Sequence, residues 1–348
     1  MEFLIEYGLF LAESITVVIA ILVVVGMLLA MSHRQHVDDE GHIEIRKLND
    51  RYKHFSEAMQ QVILSEDESK REHKAQKKRD KQEAKARKKM TESESAERLR
   101  LYVLNFDGDI QASATANLRE EISAVLAVAR NGDEVLLKLE SSGGMVHSYG
   151  LAASQLQRVR DAGIQLTVAV DKVAASGGYM MACVANRIQA APFAVIGSIG
   201  VLAQIPNFHR LLRKANVDFE QLTAGEYKRT LTMFGENTEE DRAKMQEDID
   251  DTHVLFKDFV AEHRTQVEID KVATGEVWYG QRALDKGLVD ELATSDGFIQ
   301  NCLAERDVFE VKHVLKKNWQ EKLGLAAEGS MQRSFLKLWQ GATKDRQF

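Results

Sequence analysis

Ser176 stands in Ala174-Ala175-Ser176-Gly177-Gly178-Tyr179, directly after the apolar run Ile164-Gln165-Leu166-Thr167-Val168-Ala169-Val170, and Gly225-Glu226-Tyr227-Lys228 ends 52 residues beyond the serine. A serine at a strand-to-helix turn has its hydroxyl beside backbone N–H groups that the helix leaves free, and two glycines let another backbone approach without a Cβ clash. A nucleophile and an oxyanion hole can be built together there. The same small-residue stretch also serves close packing of a helix on a sheet, so the neighbouring motifs must separate the two readings.

Those motifs follow a definite order. The strand-like Glu134-Val135-Leu136-Leu137-Lys138-Leu139-Glu140 precedes Ser141-Ser142-Gly143-Gly144-Met145, and Pro192-Phe193-Ala194-Val195-Ile196 precedes Gly197-Ser198-Ile199-Gly200. Gly275-Glu276-Val277-Trp278-Tyr279-Gly280 and Ala283-Leu284-Asp285-Lys286-Gly287-Leu288-Val289-Asp290-Glu291 come later. Taken together, residues 98 to 300 resemble the signal peptide peptidase A family of Ser/Lys peptidases. One N-terminal apolar segment and one catalytic unit make the chain similar to the short, inner-membrane members.

The resemblance implies a serine endopeptidase acting on peptides or membrane-protein fragments. In it Ser176 is the nucleophile and Lys228 the general base. The backbone N–H of Gly177, with that of Gly143 or Gly144, holds the oxyanion, and Ser198 positions the lysine amine. No cofactor and no metal are implied. In this family the serine and lysine of one site come from different catalytic units, so a chain with one unit implies a homo-oligomer with sites at subunit interfaces. A lysine base has to be neutral, which burial promotes, and Leu231, Met233 and Phe234 are apolar neighbours of Lys228. His147 is the rival base, but no motif supplies its acid partner. Where the family's turn commonly reads Ser-Pro-Gly-Gly, Ser142 replaces the proline and frees one torsion before the glycines. Two other functions compete: a crotonase-like acyl-CoA enzyme, which needs no Ser176, and a catalytically silent membrane scaffold.

The elements needed to position these residues can be read from periodicity. Leu101 to Phe106, Val135 to Leu139 and Gln165 to Val170 read as strands. Asn117 with Glu120 reads as a capping box for a helix carrying Leu118, Ile122, Val125, Leu126 and Ala129. Tyr149, Ala152, Ala153, Leu156 and Val159 define one face of the next helix, and Thr238 caps another carrying Met245, Ile249, Phe256 and Val260. Apolar strands alternating with amphipathic helices argue for an α/β fold with a mainly parallel sheet. The resemblance implies the ClpP/crotonase-like superhelix of ββα units, preceded by one transmembrane helix and a charged juxtamembrane segment.

The 348 residues accommodate a catalytic unit of about 200 residues and extensions. We expect an N-terminal segment over 1–33, a charged linker over 34–97, a peptidase domain over 98–304 and a C-terminal extension over 305–348. Ser14 through Ser32 carry no ionisable side chain, and as a helix these 19 residues reach roughly 28 Å, a bilayer's hydrocarbon thickness. Glu2, Glu6 and Glu13 precede it without any Lys or Arg, which argues against a cleaved signal peptide. Met180 to Gln204 is also apolar but is interrupted by Asn186, Arg187 and Pro192, and reads as buried helix and strand.

Between Lys70 and Lys89 eleven Lys or Arg face three acids, while the whole chain is formally -7, so this basic tract is a module of its own. A solvated linker and a contact with anionic lipid headgroups both fit it; nucleic acid has no stacking aromatics there to bind. Arg34, Arg46, Lys47, Arg51 and Lys53 follow the apolar span and favour a cytoplasmic catalytic domain in a bacterial inner membrane, whereas the family resemblance favours the periplasm. Cys183 and Cys302 have no metal or redox spacing.

Overall fold

The structure is a computed structural model that describes residues 41–65 and 98–315, with Thr16, Glu68, Arg71, Lys74, Lys78 and Lys81 as single residues. Apart from those single residues, the apolar span 14–32 and the basic tract 70–89 lie outside the described residues, as do 316–348 with Trp319, Phe335, Leu338 and Trp339. Among the described residues no helix is long and apolar enough to cross a membrane.

The elements run β1 (His42–Lys47), α1 (Leu48–Ile63), β2 (Arg100–Gly108), α2 (Thr115–Leu126), β3 (Glu134–Ser141), α3 (Val146–Asp161), β4 (Gln165–Val170) and β5 (Val173–Ala175). They continue as α4 (Gly177–Ala182), β6 (Arg187–Ala190), β7 (Val195–Gly197), α5 (His209–Lys214), α6 (Glu239–His263), α7 (Ile269–Val272), β8 (Val277–Tyr279), α8 (Gly280–Asp285), β9 (Glu291–Leu292), α9 (Ser295–Cys302) and β10 (Asp307–Val314). One sheet has the order β1-β10-β2-β3-β4-β6-β9. A branch leaves its middle, with β5 pairing both β3 and β7, and β7 pairing β8.

The pairings of β10 with β2, β2 with β3, β3 with β4 and β4 with β6 are parallel, and that of β7 with β8 is antiparallel. A parallel sheet covered on both faces needs near-continuous apolar strands, which Leu101-Tyr102-Val103-Leu104 and Val135-Leu136-Leu137 supply, all buried. The branch has a simple cause. After β4 the chain turns at Asp171-Lys172, and β5 pairs with Ser141 at the far end of β3, carrying the next turn out beyond the main sheet.

The helix face of Tyr149, Ala152, Ala153, Leu156 and Val159 is buried on α3 as its spacing predicts. Thr238 and Asp241 form a reciprocal capping box on α6, where Phe256 and Val260 are buried but Met245 and Ile249 only partly so. The Asn117 capping box is corrected. Helix α2 starts at Thr115 with Ala114 as an N-cap that makes no side-chain cap bond. The Asp109 carboxylate already fixes the preceding turn by accepting from the N–H groups of Gln111 and Ser113, so the helix begins earlier. Asn117 instead has its Oδ1 3.0 Å from His313 Nδ1 on β10. Strands β1 and β10 share the sheet of the 98–304 stretch while lying on either side of it in sequence.

Glu121 on α2 is buried, with Oε1 accepting the His313 backbone N–H at 2.9 Å and Oε2 without a partner among the described residues. Burial pushes its carboxyl above the ordinary value, against the smaller lowering effect of the His313 N–H. Just above the ordinary glutamate value the folded chain therefore keeps a proton that the unfolded chain releases, so this residue's contribution to stability falls as pH rises through the raised value. Chemical denaturation between mildly acidic and neutral pH should show that Glu121→Gln flattens this fall; superimposable pH slopes for both proteins would contradict it.

Candidate active site

Strand β5 ends at Ala175, and the next residue, Ser176, turns the chain into α4 with φ 53° and ψ -120°. A non-glycine residue in that region costs on the order of 1–3 kcal/mol and persists only where the surroundings enforce it. Here they do. The Ser176 N–H donates to Gly197 O at 2.8 Å, its carbonyl accepts from Met180 N–H at 2.9 Å, and all six residues of α4 are buried. Tyr179 on α4 donates from its hydroxyl to Leu288 O at 2.9 Å. The segment bearing Leu288 is pinned in turn by Arg264, which is 3% exposed and forms a two-armed ion pair with Asp290 at 2.7 and 2.9 Å. No local signal marks Arg264, whose partner lies 26 residues away in the Ala283–Glu291 motif.

The predicted turn of Ser141 to Gly144 lies against Ser176. Gly143 has φ 89°, and a Cβ on it would stand 2.7 Å from Ser176 Cβ and 2.8 Å from the Gly177 nitrogen. Gly144 and Gly177 line the same small cavity as Ser176. The two candidate amides of the turn differ, however. The Gly143 N–H donates inward to Ser141 Oγ at 3.0 Å, whereas the Gly144 amide has no acceptor among the described residues. Gly177 occupies the first position of α4, where an amide has no partner within the helix.

Ser198 is brought alongside. Strands β5 and β7 pair in parallel with Ala175 opposite Gly197, and the Ser176 N–H bonds Gly197 O, so Ser198 follows directly after the residue that holds the Ser176 amide. Ser198 also has positive φ, at 51°, and its N–H donates to Glu276 O at 2.7 Å, which joins two motifs that are far apart in sequence.

Lys228 is not brought to this cluster by its own chain. It belongs to the arm between β7 and α6, which packs largely on itself: Phe208 and Phe219 both contact the Phe234 ring, and Asn207 donates to the carbonyls of Thr232 and Gly235. Lys228 is exposed, at the edge of an open cavity of about 840 Å³ lined by arm residues. The cavity beside Ser176, lined by Val146, Met180, Val201 and Phe256 among others, holds about 10 Å³ and shares no residue with it. His147 is exposed on the first turn of α3. Cys183 is buried and Cys302 partly buried, and burial pushes both thiols above their ordinary range. Among the described residues no group of His, Cys, Asp and Glu could hold a metal ion.

Two family models match the chain, Peptidase family S49 N-terminal over residues 2–156 and Peptidase family S49 over residues 158–308. The chain is 53% identical to the probable protease SohB of Haemophilus influenzae, with 94% of each chain covered. It is 46% identical to the probable protease SohB of Buchnera aphidicola from Acyrthosiphon pisum, covering 97% of this chain and 98% of the relative. Among solved structures it matches a membrane-bound stomatin-specific protease in complex with a substrate peptide at 12% identity and a TM-score of 0.40, covering 65% of this chain and 96% of that one.

The positive φ at Ser176 makes a stability prediction that separates strain from chemistry. Alanine keeps the Cβ that makes this backbone costly, and glycine removes it. Ser176→Gly should unfold at higher denaturant than Ser176→Ala, by about 0.5–2 kcal/mol after allowing for the extra chain entropy of glycine. Equal stabilities, or a less stable glycine variant, would mean that the turn is unstrained.

Proposed function

The chain belongs to peptidase family S49, and from that membership we propose that it is a membrane-anchored serine endopeptidase whose working site is shared between two copies. Peptidase activity itself follows from the family; the dyad, the anchor and the shared site are our reading. The observation that carries it is the meeting of Ser176, Gly143, Gly144 and Gly177 at one strained turn, with Ser198 next to the Gly197 that holds the Ser176 amide, while Lys228 stands exposed on a separate arm. A lysine amine exposed to water is a poor general base, so in this reading a neighbouring copy supplies the burial that its own chain does not. The arm also bears Leu202, Leu211 and Leu222 at 77%, 63% and 96% exposure, an apolar surface of the kind that a subunit contact covers.

In this reading the neutral Lys228 amine of one copy takes the proton of the other copy's Ser176 hydroxyl as Oγ attacks the scissile carbonyl. The developing oxyanion is held by the amides of Gly177 and Gly144, the free pair, rather than by Gly143, whose N–H is committed to Ser141. Ser198 Oγ accepts a hydrogen bond from the amine and aims its lone pair. The protonated lysine then gives its proton to the leaving amine, and water, activated by the same lysine, releases the acyl group. The fold this needs is the superhelix of ββα units, and repeated parallel strands followed by short helices agree with it. Anchoring falls to the apolar span 14–32 in a bacterial inner membrane, and the basic tract 70–89 is suited to headgroup contact.

A complementation experiment tests the shared site. Chains carrying Ser176→Ala and chains carrying Lys228→Ala should each be inactive, and co-expression in equal amounts should restore up to about a quarter of the sites, the fraction of all interfaces that unite an intact serine with an intact lysine. Lys228→Arg should behave as Lys228→Ala does, since a guanidinium does not release its proton. Mixed oligomers that form and remain inactive would overturn the shared site.

A further inference from the structure

The proline missing before Gly143 leaves open what holds the proposed oxyanion turn in place, and a buried hydrogen-bond relay answers it. Tyr149, on α3 and fully buried, donates from its hydroxyl to Asp109 O at 2.7 Å. Its single proton is used there, so the 2.5 Å contact between Tyr149 Oη and Ser141 Oγ has the serine as donor. That leaves the Ser141 oxygen to accept the Gly143 N–H at 3.0 Å. The relay therefore has one direction only, from Gly143 through Ser141 and Tyr149 to the backbone at Asp109.

The same side chain touches the other wall. A Cβ on Gly177 would collide with Tyr149 Cγ and lie 2.7 Å from its Cδ2, so the ring lies directly behind the residue that follows Ser176. The carbonyl end of the relay is also fixed, because the Asp109 carboxylate accepts from Ser113 Oγ and two backbone N–H groups, and Ile110 O accepts the Met145 N–H at 2.9 Å. Burial holds the Tyr149 phenol above its ordinary range, which keeps the donating proton on it.

We propose that Tyr149 is a positioning residue for catalysis: through Ser141 it turns the Gly143 amide inward and thereby presents the Gly144 amide opposite that of Gly177, which its ring supports from behind. The proposal rests on Ser176 being the nucleophile, and it adds a requirement that this role alone does not make. Electrostatic stabilisation of an oxyanion depends on donors placed before the charge develops, so a loosened turn lowers turnover more than substrate affinity.

The test uses the full-length protein in detergent, with a fluorogenic unstructured polypeptide as substrate, and compares wild type, Ser176→Ala, Tyr149→Phe, Ser141→Ala and the Tyr149→Phe/Ser141→Ala double variant. Tyr149→Phe keeps the ring and removes only the hydroxyl, and thermal melting checks that each variant is folded at the assay temperature. We expect kcat to fall about 10- to 100-fold in both single variants with KM within about threefold of wild type, and the double variant to be no worse than the poorer single one. A wild-type kcat in Tyr149→Phe, or losses that multiply in the double variant, would overturn the relay while leaving the Ser176 reading intact. If Tyr149→Phe does not fold, Ser141→Ala breaks the same relay from its other end and decides alone. Wild-type activity that survives in Ser176→Ala would remove the nucleophile assignment and this proposal with it.

Discussion

A single backbone conformation organises the branch of the sheet that carries Ser176. Ser176 sits at positive φ between a strand and a buried helix, a geometry that an L-residue adopts only under compulsion. The compulsion comes from three restraints. Strand β5 is held between the end of β3 and β7, the Ser176 amide is taken by Gly197 O, and α4 is buried along its whole length. If the branch strands separated, the serine would relax into ordinary extended backbone and its hydroxyl would leave the helix N-terminus.

Much of the surrounding packing maintains that arrangement. Gly143 and Gly177 lack side chains because the Ser176 turn and the Tyr149 ring occupy the space a Cβ would need. Below α4, the Tyr179 hydroxyl and the Arg264–Asp290 pair tie the helix to the loop ahead of β9. Arg264 is buried, and burial, the largest single influence, would lower its basicity; its hydrogen bonds to Asp290, with the charge interactions of Tyr179, Asp290 and Cys183, together more than offset this and keep the guanidinium charged. Losing Asp290 would strand a buried charge under the site, which typically costs about 3–5 kcal/mol.

Local pattern made the scaffold legible. The strand Gln165 to Val170 and the buried face of α3 could be read from spacing because each is decided by neighbours within a few residues. What depended on distant partners could not. Asn117 looks like a cap until His313, 196 residues away, claims its side chain, and the strands before residue 48 and after 306 join the sheet by pairings that no local signal announces. At the site, Ser176, the two glycines and Ser198 were legible as motifs. From spacing alone Tyr149 is one more core position on its helix face, because its hydroxyl's partners at 109 and 141 become visible only once the sheet brings them together. Lys228 was legible as a motif residue, but its exposure in the single chain was not.

In the proposed mechanism that exposure divides the chemistry between two surfaces, one strained around Ser176, the other an apolar arm carrying Lys228. The claim on which both depend is that Ser176 is a nucleophile activated by a lysine. Labelling with a fluorophosphonate, followed by mass spectrometry of the modified peptide, tests it directly. The account predicts one modified residue, Ser176, with labelling at least tenfold slower in Lys228→Ala because the hydroxyl then lacks its base. A label carried on another residue, or labelling of Ser176 at an undiminished rate without Lys228, would contradict it.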